Sequence, residues 1–187
     1  MQGTQYLTNH FLIAMPALED PNFFHSVAYI CEHTDEGALA LVINRPLEIE
    51  LGEILKNIEG TDSLPDTFNI PVHLGGPVQP ERGFVLHDPL GDWDSTMKIT
   101  DRIGITSSLD ILTAIASDEG PERSIIALGY AGWGAGQLEQ EIGGNTWLNG
   151  PADPEILFNT PHNERWKAAA QSIGIDIDLL SGDAGHA

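Results

Sequence analysis

Basic side chains are scarce in this sequence: 8 Lys and Arg residues stand against 28 Asp and Glu residues, and the formal net charge is -20. Direct DNA binding draws much of its affinity from cations that displace counterions at phosphates. The basic residues here are scattered singly rather than grouped in a stripe. So acidic a chain is soluble and repels polyanions, and we predict neither direct nucleic-acid binding nor association with a membrane.

The sequence has a single cysteine, and it lacks a secretory leader and long apolar runs. The only cysteine, Cys31, cannot form a disulfide within the chain, and the first residues show no basic, apolar and cleavage-site pattern. Both observations predict a cytoplasmic protein. The longest apolar runs, such as residues 38–43, are far shorter than the stretch of about 20 residues that a transmembrane helix needs.

Runs of β-prone apolar residues predict a strand-rich chain. Between the second and third runs, residues 32–37 are polar and end in a glycine, which is typical of a hairpin connection between antiparallel strands. The predicted strands cover residues 10–14, 27–31, 38–43, 70–74, 83–87, 97–106 and 124–130.

One helix is predicted between the third and fourth strands. Residues 51–58 have apolar side chains at i, i+3, i+4 and i+7, and Glu48, Glu50 and Glu53 lie toward the helix start. Residues 59–69 contain Gly, Pro, Asp and Ser without periodicity, which predicts an exposed loop.

Further helices are predicted in the second half of the chain. A capping box of Ser107 and Asp110 indicates the start of one, residues 137–142 are compatible with another, and a third begins at Thr160-Pro161 and ends at Gly174. The exposed face of this last helix is predicted to contain Arg165, Lys167 and Gln171.

The predicted elements define the fold class. Strands outnumber helices, and neither a regular βαβ alternation nor a repeat is visible. We predict an α+β fold with a large mixed or antiparallel β-sheet flanked by several helices, in a single domain over residues 1–187. The apolar fraction of 41% is ample for one core. A Rossmann-like fold is the weaker alternative.

Glycines cluster most densely in residues 129–139, where a predicted strand runs into a predicted helix. Such a junction can present backbone N–H groups to an anion. However, the segment matches neither G-x-G-x-x-G nor a P-loop, lacks Lys and Arg, and has Glu139 and Glu141 near the helix start. A tight turn packed against Tyr130 and Trp133 is therefore favoured over phosphate binding.

The seven histidines show no spacing typical of a metal site, so we predict no metal, and a site assembled from distant residues is the alternative. No cofactor is predicted. His10, His33, His73 and His87 are interpreted as hydrogen-bonded structural residues. Cys31 and His33 are two positions apart on a predicted strand and would share a face, as a thiolate and its base do. Because Cys31 ends an apolar run, a buried inert thiol is the favoured interpretation.

Polar and glycine residues at strand ends remain as candidates for a functional site, because functional groups gather in such loops. For residues 44–46 and 75–77, turn chemistry is the alternative explanation. No catalytic residue is assigned. The candidate binding surface consists of Glu32, His33, Asn44, Arg45, Gly75, Gly76, His87, Gly132, Trp133, Gln137 and Glu139.

Segments along almost the whole chain resemble, in order, the motifs of the YqgE/AlgH family. They are NHFLIAMP at 9–16, YICEH at 29–33, LVINRP at 41–46, GGPV at 75–78, RGFVLH at 82–87, residues 128–139, 147–158 and 184–187. One departure is Ala40, where members commonly have glycine. The resemblance implies a complex α+β fold with a large mixed sheet and neither an established cofactor nor an established catalytic residue. Relatives are often described as transcriptional regulators.

Three functional hypotheses follow. The first is a non-enzymatic regulatory or interaction protein that binds a protein or small-molecule partner at these loops and affects transcription indirectly. The alternative is an unrecognised enzyme with a small-molecule cleft, in which Glu32, His33, His87 or Glu139 act as acid-base groups. We favour the first because catalytic signatures are missing. The third, a DNA-binding regulator, is disfavoured by the charge.

Overall fold

The computed structural model describes residues 6–59 and 70–180. Within these ranges the chain forms ten strands, six α-helices and a short 3-10 turn at His162–Glu164. The strands are β1 (His10–Ala14), β2 (Val27–Thr34), β3 (Gly37–Val42), β4 (Pro46–Glu50), β5 (Pro71–Leu74), β6 (Val78–Asp88), β7 (Thr96–Lys98), β8 (Gly104–Thr106), β9 (Arg123–Gly134) and β10 (Trp147–Pro151). The α-helices are α1 (Leu51–Glu59), α2 (Leu109–Ala116), α3 (Gln137–Gly143), α4 (Pro154–Phe158), α5 (Arg165–Ser172) and α6 (Ile177–Leu180).

The described strands join one large, mainly antiparallel sheet. Its main path has the order β10-β1-β2-β3-β9-β6-β8-β7, while β4 pairs with β5, and β5 runs parallel to β9. The twelve-residue β9 connects the two halves of the sheet, because residues 123–128 pair with β5 and β6 and residues 131–134 pair with β3. The predicted α+β class with a large mixed sheet is confirmed, and the Rossmann-like alternative is wrong.

Different helices cover the two apolar faces of the first half of the sheet. Phe11 and Tyr29 pack on one face with residues of α4 and α5, and we call this side the α5 face. Leu12 and Ile30 point the other way and pack with α3, on the α3 face. Burying each such side chain stabilises the fold by about 1.5–3 kcal/mol. A third cluster around Val72 lies under α1 and α2.

A β-bulge in β2 changes which of its residues share a face. Ile30 and Glu32 pair with consecutive residues of β3, so Cys31 is the extra residue. Cys31 packs into the core of the α5 face, and the alternation then shifts by one position. As a result, Glu32 also lies on the α5 face and His33 on the α3 face, opposite Ala38. The prediction that Cys31 and His33 share a face is therefore wrong.

The favoured interpretation of Cys31 as a buried thiol is confirmed. The side chain is 2% exposed, and its Sγ lies 3.7 Å from the carbonyl oxygen of Tyr29. Burial raises the pKa of the Cys31 thiol, because a thiolate would lose its hydration there. A nucleophilic role at neutral pH is thereby disfavoured.

Several strand boundaries differ from the prediction; β6 and β9, for example, are longer than the predicted strands 83–87 and 124–130. Residues 32–34 belong to β2, so that Asp35 and Glu36 form the turn of the predicted antiparallel pair, which is itself confirmed. Residues 97–106 form the hairpin of β7 and β8 rather than one strand, because Thr100 Oγ1 accepts the backbone N–H groups of a turn between them. The strand β4 was not predicted and includes Glu48 and Glu50, which leaves Glu53 in the first turn of α1.

The helix predictions also need correction. The N-cap of α2 is Ser108 rather than Ser107, and the Ser108 hydroxyl donates to Asp110 Oδ1 over 2.5 Å. The predicted loop 59–69 begins on the last residue of α1, and residues 60–69 lie outside the described ranges. Arg165 was predicted on the exposed face of the last helix, but the residue is only 7% accessible. It donates to the carbonyl oxygens of Thr160 and Ile43.

Some elements had no counterpart in the sequence predictions, namely β10, α4 and α6. The limits of the single domain, residues 1–187, stay a prediction because both termini lie outside the described ranges. Among the residues described, none of the helices has the length and apolar character that crossing a membrane requires.

Candidate binding groove on the α5 face

A groove runs across the sheet from the β2–β3 hairpin to β7, and it consists of two adjoining cavities. The larger, of about 460 Å³, is mainly apolar, and the second is about 430 Å³. Leu39 and Tyr130 line both cavities, so we treat them as one groove. Besides these two, the first cavity is lined by Arg82, Phe84, Asp94, Ser95, Thr96, Met97, Ile105 and Ser107, and the second by Glu32, Thr34, Glu36, Gly37, Ala38, Val78, Gly132 and Trp133.

The centre of the groove is built from facing positions on three strands. Leu39 of β3 pairs directly with Gly132 of β9, and Tyr130 stands two residues before Gly132 on the same face. The Tyr130 ring meets Phe84 of β6 edge to face, with ring centroids 5.8 Å apart. Because Gly132 has no side chain, the flank of the Tyr130 ring stays open toward the second cavity.

Charged side chains stand around this apolar centre. Glu32 and Glu36 line the second cavity, and Asp94 and Arg82 line the first. All four are exposed, and among the side chains of residues 6–55 and 70–180 none of opposite charge lies within salt-bridge distance of them. The Arg82 guanidinium lies 5.1 Å from the centroid of the Phe84 ring. The groove is therefore acidic overall.

His33 lies on the opposite side of the sheet from this groove. Its Nδ1 accepts the backbone N–H of Leu7, so the proton of the neutral ring is on Nε2, which faces Glu139 Oε1 over 3.3 Å. The His33 side chain is 1% exposed, and Tyr6 packs against the ring edge. This pair fastens the N-terminal segment and α3 to the end of β2.

Glu141 is the residue that organises the α3 face. Its Oε1 accepts the indole N–H groups of both Trp133 and Trp147 at 3.0 Å, and its Oε2 accepts from Gln137 over 2.9 Å. Gln137 in turn accepts the backbone N–H of Gly134. Sequence reasoning assigned Glu141 only to the helix start. The sequence signal that could have indicated this role is a carboxylate with one tryptophan eight residues before it and another six residues after it.

We expect Glu141→Gln to lower the free energy of unfolding by about 1–2 kcal/mol, because a neutral amide accepts the two indole protons less strongly than a carboxylate does. Urea unfolding followed by tryptophan fluorescence measures the loss. Glu48→Gln makes the same chemical change at an exposed position of β4 and serves as the control. Equal stabilities of the two variants would contradict the role of Glu141.

Asn44 and Arg45 hold the loop that precedes β2. Asn44 Oδ1 accepts the backbone N–H of Val27, and its amide donates to the carbonyl oxygen of His25. The Arg45 guanidinium donates to three carbonyl oxygens of the same loop over 2.6–2.8 Å; these belong to Pro21, Asn22 and Phe24. Both side chains thus satisfy backbone groups in a region away from the residues that line the groove.

The remaining predicted residues occupy backbone or core positions. Gly75 donates its N–H to the carbonyl oxygen of Leu128 over 2.8 Å, and Gly76 lies against the backbone of Tyr130. His87 is fully buried, where Nε2 meets the Thr106 hydroxyl at 2.7 Å. Burial lowers the pKa of the His87 imidazole. These residues support the sheet behind the groove.

The structure therefore divides the candidate surface. Glu32, Gly132 and Trp133 line the groove. The pair His33 and Glu139 lies on the α3 face, as does Gln137 beside Glu141, whereas Asn44, Arg45, Gly75, Gly76 and His87 have the backbone and core contacts given above. Sequence reasoning missed the apolar lining, because isolated residues on five strands give no local signal. In the described part of the chain, no three His, Cys, Asp or Glu residues are grouped as metal ligands would be.

Together, the ten-stranded sheet and the helices that cover it define an α+β protein. The family model described as AlgH-like matches residues 11–178. The chain therefore belongs to the AlgH-like family, and the resemblance noted in the sequence is confirmed. A UPF0301 protein of Thioalkalivibrio sulfidiphilus is 55% identical, and one of Nitrosococcus oceani is 53% identical, each over 100% of both chains.

Two solved structures extend the comparison. The solution structure of the AlgH protein from Pseudomonas aeruginosa is 47% identical, and the match covers 100% of both chains with a TM-score of 0.82. A crystal structure of a protein from Corynebacterium diphtheriae is 20% identical, with 97% of this chain and 94% of that chain covered and a TM-score of 0.72. The second likeness shows a shared fold.

Proposed function

We propose that this chain is a non-enzymatic interaction protein that binds its ligand in the groove on the α5 face, and that any regulatory effect is indirect rather than through DNA. The observation that carries the proposal is the continuity of the two cavities through Leu39 and Tyr130. Each cavity falls within the size range of about 300–1,000 Å³ that is usual for ligand sites.

The apolar lining of the groove supports a binding role. A sheet face is normally covered by another layer, as α4 and α5 cover part of this one. Over the groove, Leu39, Phe84, Met97, Ile105 and Tyr130 line open space instead. Apolar patches that remain accessible and are rimmed by polar groups mark interaction sites.

Charge supports an indirect regulatory role. Glu32, Glu36 and Asp94 outnumber Arg82 among the charged groups of the groove, and the whole chain has a formal net charge of -20. Phosphates would be repelled from such a surface, since nucleic-acid affinity depends on Lys and Arg contacts.

The enzyme hypothesis stays a prediction, and the positions of its proposed acid-base groups do not favour it. Glu32 lies in the groove, His33 and Glu139 form a pair on the other face, and His87 is enclosed beside Thr106. General acid-base catalysis needs its groups within hydrogen-bond reach of one substrate.

We expect Tyr130→Ala to weaken ligand binding by about tenfold, because buried aromatic side chains dominate binding energies. The measurement is a chemical-shift perturbation titration of labelled protein with short peptides, metabolites and a DNA duplex. Tyr6→Ala makes the same change at an exposed ring on the α3 face and should bind as the wild type does. Shifts that cluster away from the groove would overturn the site, and duplex-induced shifts at low salt would overturn the indirect role.

A further inference from the structure

We infer that the occupant of the groove is an extended segment of a partner protein in which an apolar side chain is followed by a Lys or Arg side chain. The apolar side chain contacts Phe84 and Tyr130, and the cationic one lies at Glu32 and Glu36. This inference rests on the proposed function, since it names the partner of the same site.

The second cavity has the chemistry of a cation site. The bulge at Cys31 turns Glu32 onto the α5 face, and Glu36 stands in the adjoining turn, so both carboxylates line one cavity. Among the basic side chains of residues 6–55 and 70–180, none is paired with either carboxylate. The Tyr130 ring borders the same space, beside Gly132. Carboxylates next to an aromatic ring suit an ammonium or a guanidinium group.

The first cavity has the chemistry of an apolar subsite. Phe84, Met97 and Ile105 line it together with Leu39 and Tyr130. Methionine adapts its shape to different apolar partners. The charges at this end oppose each other, because Asp94 and Arg82 both border the cavity, so it offers little net attraction to either sign.

The length of the groove favours a polypeptide over a small molecule. From Glu32 on β2 to Met97 on β7 the path crosses β3, β9, β6 and β8. Five interstrand steps of roughly 4.8 Å span about 24 Å, which is the length of about seven extended residues. Both cavities are open to solvent along this path, and a chain that continues beyond them at either end can enter.

The charge of the whole molecule agrees with a basic partner. A formal net charge of -20 attracts cationic segments over long range and accelerates their encounter, most strongly at low salt. The unpaired carboxylates at one end of the groove then fix the register of the bound segment, because the apolar end offers no such charge.

Fluorescence anisotropy with labelled peptides tests the inference on the full chain. The probes are peptides of about seven residues in which Leu, Phe and then Lys, Gln or Glu occupy alternate positions, so that these side chains share one face of the extended segment. We expect the Lys peptide to bind best, the Gln peptide about tenfold more weakly, and the Glu peptide not measurably. Added salt should weaken the binding of the Lys peptide and leave the affinity of the Gln peptide nearly unchanged.

A pair of double variants assigns the effect to the groove. The double variant with Glu32→Gln and Glu36→Gln should bind the Lys peptide about tenfold more weakly and the Gln peptide with unchanged affinity. Glu48→Gln with Glu53→Gln removes the same two negative charges at exposed positions of β4 and α1, and should retain wild-type binding. Circular dichroism confirms that each variant is folded.

The outcomes separate the inference from the proposed function. Equal binding of the Lys and Gln peptides, with loss in Tyr130→Ala, would overturn the cation subsite and keep the groove as a binding site. Equal weakening by both double variants would reduce the effect to net charge and overturn the inference. Spermidine binding at Glu32 and Glu36 without any peptide binding would identify a small-molecule amine site instead. If no peptide binds and metabolites leave the groove unperturbed, the proposed function fails as well.

Discussion

Replacing Gly76 by alanine is expected to lower the free energy of unfolding by about 3 kcal/mol or more, at the upper end of what overpacking costs. Gly76 lies between β5 and β6, and a Cβ atom there would overlap the backbone carbonyl of Tyr130. A backbone atom in the middle of β9 cannot move aside as a flexible side chain does, since that strand is hydrogen-bonded to several neighbours. Urea unfolding followed by far-UV circular dichroism measures the loss.

The control for this substitution is Gly143→Ala, which adds the same methyl group at the end of α3. Nothing lies within 4 Å of a Cβ atom at Gly143, and alanine favours a helix over glycine by up to about 1 kcal/mol. The control should therefore be as stable as the wild type or slightly more stable. If Gly76→Ala matches it, the close approach of residues 75–76 to β9 does not constrain the fold.

The second large effect is expected on acidification, and it comes from His73. Burial, and next the positive charge of Arg165, lower the pKa of the His73 imidazole from 6.5 to about 4. The side chain is 7% exposed, and its Nδ1 donates to the carbonyl oxygen of Ile126 over 3.3 Å. The folded state therefore disfavours the imidazolium, whereas the unfolded chain accepts the proton near its ordinary pKa.

The sign and the pH window follow from this difference. Above pH 6.5 the contribution of neutral His73 to stability is fully present. Between pH 6.5 and about 4 the unfolded state binds more protons than the folded state, so stability decreases as the pH is lowered. Over that window the loss should reach about 3 kcal/mol. Urea unfolding midpoints of the wild type and His73→Gln, measured at several pH values, isolate the contribution of His73 protonation to stability. A wild-type profile that stays parallel to that of the variant would contradict it.

Several elements were predictable because their signals are local. The strand His10–Ala14 is a continuous apolar run, α1 repeats its apolar residues at helical spacing, and residues 137–142 follow a glycine turn. The family motifs also implied a large mixed sheet, which the structure contains. Local propensity and periodicity suffice where one residue's neighbours in sequence are also its neighbours in space.

The features that were not predictable depend on pairing between distant segments. The bulge at Cys31 is defined by its register against β3, and without that register His33 was placed on the wrong face. The groove brings together Leu39, Phe84 and Tyr130 from three strands, a proximity that no spacing reveals. Arg165 was assigned to an exposed helix face, although its guanidinium satisfies the carbonyl oxygen of Ile43, far away in the sequence.

The position of β9 also has a consequence for how the molecule folds. Its first residues contribute the hydrogen bonds that hold β5 and β6, and its last residues those that hold β3. Neither half of the sheet can complete its pairing before this strand is in place, because each half would lack a neighbour. Folding and unfolding of the two halves should thus be coupled in one cooperative transition, with the ring of Tyr130 at the point where they meet.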